Sequence, residues 1–241
     1  VLFDMDGLMF DTERIGRDGW HKAAETLHID LPDTLEVIVL LFIFSAEILG
    51  EIQEFYILIP GWDTVLHTLN GFLCAAIGFS IVNILNEDKH TSMHLSPFYM
   101  AVTAFCFSMT IGVLWEFFEW GMDNLAGLDM QKDTVLTGFN TVMLDPQGRN
   151  VAYHVRNVTD TILVFADGST MSMGLGGYLD IGLMDTMKDL LVNLIGAVVF
   201  SFFGYFYVKS KGKGKVARNF IPNVLEHPVK DAENPEKTEE K

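Results

Sequence analysis

The chain has 241 residues, of which 49% are hydrophobic and only 20% charged, and its mean hydropathy is +0.27. That balance excludes a disordered or fibrous protein. Thirty-two Asp and Glu against sixteen Lys and Arg give a formal net charge of −16 at pH 7, which argues against a nucleic-acid partner because phosphates demand positive charge.

A bilayer core about 30 Å thick needs roughly 20 mostly apolar residues in a helix. Four runs reach that length, at about 35–59, 63–85, 96–120 and 183–208. The second and fourth show no polar stripe wide enough for a water-facing helix, and the remaining polar chain is too short to cover four buried helices. The expected fold is therefore an all-α polytopic membrane protein with four transmembrane helices over residues 35–208. Its lipid bilayer is the first partner. Gly71, Gly78, Gly112, Gly196 and Gly204 suit close helix contact in lipid. Cys74 and Cys106 sit inside apolar runs and form neither a disulfide framework nor a CxxC zinc pair.

Between the third and fourth runs, residues 121–182 form an extracytoplasmic insert with β character. Short strands are expected at 141–144, 151–155 and 161–165, with turns at Asp145 to Gly148 and Asp167 to Ser169. Lys209, Lys211, Lys213, Lys215 and Arg218 follow the fourth run, and such clusters stay cytoplasmic. With four spans both termini are then cytoplasmic. Residues 209–241 read as a basic and then disordered tail, the disorder beginning after Pro222.

Ionisable groups inside a membrane cost roughly 2.5–3.5 kcal/mol each at the helix centre on insertion scales, so each requires a reason. The first run carries Glu47, Glu51 and Glu54, the second opens with Asp63 and His67, the third ends with Glu116, Glu119 and Asp123, and the fourth begins with Asp185, Asp189 and Asn193. Alternate helices run in opposite directions, so all four stripes are expected at one face, the outer one by the positive-inside count. Nine carboxylates against His67 and Lys188 demand a counter-charge. A divalent cation, shared protons or a cationic or hydroxyl-rich head group would each supply relief. The competing reading leaves the acids as water-facing helix ends, most readily Glu54 and Asp123. Candidate catalytic residues are Asp63, His67, Glu116, Glu119, Asp185, Asp189 and Asn193. The candidate ligands for a divalent cation are Asp63, His67, Glu116, Glu119 and Asp189.

Trp62-Asp-Thr-Val-Leu-His67 with Gly71, Gly112-Val-Leu-Trp-Glu-Phe-Phe-Glu119, Asp129-Met-Gln131 and Asp185-Thr-Met-Lys-Asp189-Leu-Leu-Val-Asn193-Leu-Ile-Gly196 resemble the YjdF-type family of bacterial integral membrane proteins over about 35–218. More distantly they resemble VanZ-like membrane proteins, which carry an Asp-x-x-x-His, a later Glu and an Asp-x-x-x-Asn-x-x-Gly. The resemblance implies a bacterial plasma membrane and a lipid-linked or envelope-associated partner molecule. It implies no particular reaction, and a non-catalytic scaffold or sensor is the rival expectation. Oligomeric state is not readable.

Residues 1–34 look different. Val1-Leu-Phe-Asp4-Met-Asp6-Gly-Leu-Met-Phe-Asp11-Thr-Glu13 is similar to the first motif of haloacid dehalogenase-like phosphatases, with Asp4 matching the nucleophile and Asp6 the general acid/base around Mg²⁺. The later motifs of that family have no counterpart, and thirty-four residues cannot build its sheet. The stretch is expected to be an inactive strand-helix fragment, joined to the membrane protein by gene fusion or by faulty sequence assembly.

Overall fold

The computed structural model describes residues 18, 19, 22, 25, 26, 29, 30, 32–87, 94–212 and 214–224. The phosphatase-like Asp4 and Asp6, the link at 88–93 and the tail from 225 lie outside the described residues.

The first run does not form one uninterrupted α-helix. α1 (Asp33–Ile43) widens into a π-helix over Phe44–Ile52, and the chain then breaks at Glu54, whose φ of 58° lies in the left-handed region. A four-residue helix, α2 (Phe55–Leu58), follows. Gly50 makes the break fit: a Cβ there would overlap the Tyr56 ring. Glu47, Glu51 and Glu54 all emerge exposed on this segment.

Three long helices carry the fold. They are α3 (Trp62–Glu87), α4 (Pro97–Gly121) and α5 (Leu183–Lys209). Ser96 starts α4 by accepting the Tyr99 N–H at 3.2 Å, and Pro97 occupies the first turn, where its missing N–H leaves no gap. Trp62–Asn86, Pro97–Ala126 and Leu183–Lys209 are long and apolar enough to cross a membrane, the second including the π-helical turn Met122–Ala126 that ends at Gly127. Large apolar side chains face outward along them, with Phe98, Phe117 and Phe202 each more than half exposed, as lipid-facing surfaces require and water-facing ones do not.

Ala75, Ala76 and Phe79 of α3, Met100 and Ala104 of α4, and Ala197 and Phe200 of α5 are fully buried between the helices. Small residues set the spacing. A Cβ on Gly71 would overlap the backbone carbonyl of Asn193, and one on Gly196 would overlap that of Thr68, so α3 and α5 touch backbone to backbone. Where the surroundings are as apolar as the core, such contact replaces the hydrophobic effect as the source of association.

Between α4 and α5 the insert is a set of small antiparallel pairs. β2 (Thr134–Leu136) pairs with β7 (Tyr178–Asp180), β3 (Gly138–Thr141) with β4 (Tyr153–Arg156), and β5 (Ile162–Val164) with β6 (Thr170–Ser172). Asp145 accepts the N–H groups of Gln147, Arg149 and Val151 in the first hairpin loop, and Asp167 accepts the Ser169 N–H and hydroxyl in the second. After α5 the chain turns at Gly212 and doubles back through α6 (Lys215–Arg218). Ala217 and Ile221 are buried in the core, and the Phe220 ring lies edge-on to Phe72 at 4.9 Å and to Phe200 at 6.3 Å. Its carbonyl accepts the Ser80 hydroxyl at 3.5 Å. The chain ends, as described, in β8 (Asn223–Val224), paired with β1 (Ile29–Asp30).

Candidate functional site

Asp63 and His67 lie one turn apart at the start of α3, and Asp185, Lys188 and Asp189 occupy the first turns of α5. Glu116 and Glu119 lie near the end of α4, so one end of the bundle gathers them all. His67 is the hub. Its Nε2 stands 3.3 Å from Asp63 Oδ1 and 3.9 Å from Asp189 Oδ2, while Nδ1 on the far side of the ring is 4.0 Å from Glu116 Oε1. Asp63, His67 and Asp189 each offer a ligand atom, and these atoms fall within 4.8 Å of one another. A coordination shell with bonds of about 2.0–2.6 Å has ligand-to-ligand edges of about 3–4 Å, so small side-chain rotations would close the set around a cation.

The charges do not balance internally. Lys188 Nζ lies 3.5 Å from Asp63 Oδ2 and Asp185 Oδ1 and 3.6 Å from Asp189 Oδ1. Four carboxylates, Asp63, Glu116, Asp185 and Asp189, lie within 4.0 Å of this lysine or of His67, so with all four ionised two negative charges remain in excess even with His67 protonated. Two buried oxygens, Glu116 Oε2 and Asp189 Oδ1, have no hydrogen-bond partner. Their residues are only 4% and 1% exposed, so water does not relieve them from outside.

The remaining candidates divide by role. Asn193 is buried one turn below Asp189, where its Oδ1 accepts from Asn70 Nδ2 at 3.3 Å and its Nδ2 donates to the Ser108 carbonyl at 3.5 Å. The Ser108 hydroxyl in turn donates to the Gly71 carbonyl at 2.7 Å. These groups form a floor about 15 Å down α5 from Leu183 at 1.5 Å per residue. Beneath it lie Ala75, Ala76, Phe79 and Phe200, so the polar pocket ends on apolar packing. Glu119 is held by Trp115 Nε1 at 2.7 Å. Asp185 accepts the Lys132 N–H at 2.8 Å, and Asp123 accepts those of Met130 and Gln131, so both anchor the insert to the helix ends. Gln131 Nε2 adds a bond to the Thr186 hydroxyl at 2.6 Å. Glu47, Glu51 and Glu54 make no hydrogen bond or ion pair with the cluster among the described residues. The first run's acids thus stay exposed beside the end of the bundle that holds the cluster, outside the ion pairs made by the three long helices.

Asn70 and Ser108 escaped the sequence reading, although spacing carried both. Asn70 continues the stripe Asp63, His67, and Ser108 continues Glu119, Glu116, Gly112 backward by single turns.

Residues 22–210 match the model of a family described as predicted membrane protein (DUF2238). The chain belongs to this family. It is a membrane protein, and the matched region contains every residue of the cluster but neither Asp4 nor Asp6. No curated protein and no solved structure matches it.

Proposed function

We propose that this membrane protein binds a divalent cation through Asp63, His67 and Asp189, and acts there on a lipid-linked or envelope-associated molecule at one face of a bacterial plasma membrane. Glu116 orients the imidazole from its opposite nitrogen, as carboxylates commonly do for metal-bound histidines. A cation held by two carboxylates and one imidazole keeps positions for water or a substrate oxygen. What carries the reading is the crowding of carboxylates around His67, where Glu116 Oε2 is buried with no hydrogen-bond partner and Asp189 Oδ1 has only the Lys188 ammonium at 3.6 Å. The Asn193 and Ser108 floor favours chemistry or binding at one face over conduction, since it rests on the packed Ala75, Ala76, Phe79 and Phe200.

The membrane arrangement belongs to the same proposal. The helical stretch 33–52 joins the three long helices as a fourth crossing, and the basic cluster from Lys209 to Arg218 holds both termini in the cytoplasm. Trp115 and Trp120, both half exposed near the pocket, suit the opposite interface.

A scaffold reading is favoured by two observations: Lys188 pairs with three carboxylates, and the Asn70 to Asn193 bond joins two helices. Thermal unfolding in detergent with Mn²⁺, Zn²⁺ or Mg²⁺ separates the two. A functional cation site stabilises the wild type by about 2.7 kcal/mol at a hundredfold excess over Kd, Asp189→Asn folds without that gain, and Glu116→Gln folds with a smaller one. Loss of the folded state in both variants, with no metal response in the wild type, supports the scaffold.

A further inference from the structure

At the end of the bundle away from the acidic pocket, an apolar groove of about 430 Å³ runs between α4 and α5. Its floor is made of the buried Ala101 and Ser201, and its walls of Phe98 and Phe105 from one helix and Phe202 and Phe206 from the other. From Val198 to Phe206 it extends about 12 Å along α5 at 1.5 Å per residue. Of its lining residues only Ser201 and Tyr205 carry polar side-chain atoms, and neither exposes them to the groove. Tyr205 forms part of one wall, and the ammonium of Lys209 stands 5.6 Å from the centroid of its ring, one helical turn beyond the groove.

Along α4, α5 and the segment after α5 the charge at that end has one sign, although α3 ends there at Glu87. Between Asp189 and Glu226 the sequence holds Lys209, Lys211, Lys213, Lys215 and Arg218 and no acid, and α4 carries no charge before Glu116. An apolar slot that ends beside a cation at a helix terminus has the polarity of an anionic lipid, with hydrocarbon inside and phosphate at the rim. We propose that this groove binds one acyl chain of an anionic phospholipid, whose headgroup phosphate pairs with Lys209. The site is separate from the acidic pocket and does not depend on a cation there.

The test uses the full chain, stripped of lipid in detergent and titrated with phosphatidylglycerol or phosphatidylcholine while bound lipid is counted by native mass spectrometry. The wild type binds phosphatidylglycerol about fivefold more tightly, the preference given by one lysine near an anionic surface. Lys209→Gln removes that preference and keeps the weaker, headgroup-blind binding. Val198→Trp narrows the groove from an exposed wall position and lowers the affinity for both lipids. Equal affinity for the two lipids in the wild type overturns the proposal. So does binding unchanged in Val198→Trp, or a dimer seated on the groove that added lipid fails to dissociate.

Discussion

Asp189 is 1% exposed, and one of its oxygens lacks any hydrogen-bond partner. Replacing it with the isosteric Asn removes a buried charge while keeping shape, so Asp189→Asn is expected to be at least as stable as the metal-free wild type, measured by denaturant unfolding in detergent. A glycine on the same helix responds oppositely. Gly196→Ala sets a Cβ against the Thr68 carbonyl and lowers stability by about 1–3 kcal/mol, the usual cost of overpacking, whereas Gly121→Ala meets open space and does not. At this scale the polar cluster was legible because carboxylates and a histidine in apolar helices need a reason. The division of labour was not. Asp185 looks like a site residue in sequence, yet besides pairing with Lys188 it accepts the Lys132 N–H, a partnership made by tertiary folding alone.

The insert shows how an element can rest on one carboxylate. Asp160 accepts the Ser172 hydroxyl and the N–H groups of Thr161 and Gly174, and these bonds, the Ser172 one first, hold its carboxyl below the usual carboxylate range. The folded-state value is therefore lower than the unfolded one. Its stabilisation of the β5 and β6 pair is complete above about pH 4 and is lost as pH falls through the lowered value. Protection factors for these strands should hold from pH 7 to 5 and decline below 4, and Asp160→Asn should flatten the profile. The turns at Asp145 and Asp167 were readable from Asp and Gly spacing. The pairing of β2 with β7 was not, because the two strands are three residues each and more than forty residues apart. The break in the first run was equally hidden, since the left-handed Glu54 follows from where Tyr56 packs on Gly50.

Across the whole molecule, three helices form a bundle that is polar at one end, apolar in the middle and bordered by lysines at the other. The segment after α5 closes the middle, with Phe220 set between Phe72 and Phe200. Nothing in a sequence of lysines and glycines announces that return, because Phe220 and Ile221 find their partners only across the bundle. Phe220→Ala should cost up to about 3 kcal/mol, less than a fully buried phenylalanine does, measured as a shift in unfolding midpoint. Apolar length and family membership together give the membrane setting, while the proposed chemistry of the pocket requires a bound cation. Elemental analysis of the purified protein after exchange into metal-free detergent buffer tests that directly. The account predicts about one divalent ion per chain in the wild type and none in Asp189→Asn or His67→Ala. A wild type that emerges free of metal, and that added Mn²⁺, Zn²⁺ or Mg²⁺ neither loads nor stabilises, would contradict it.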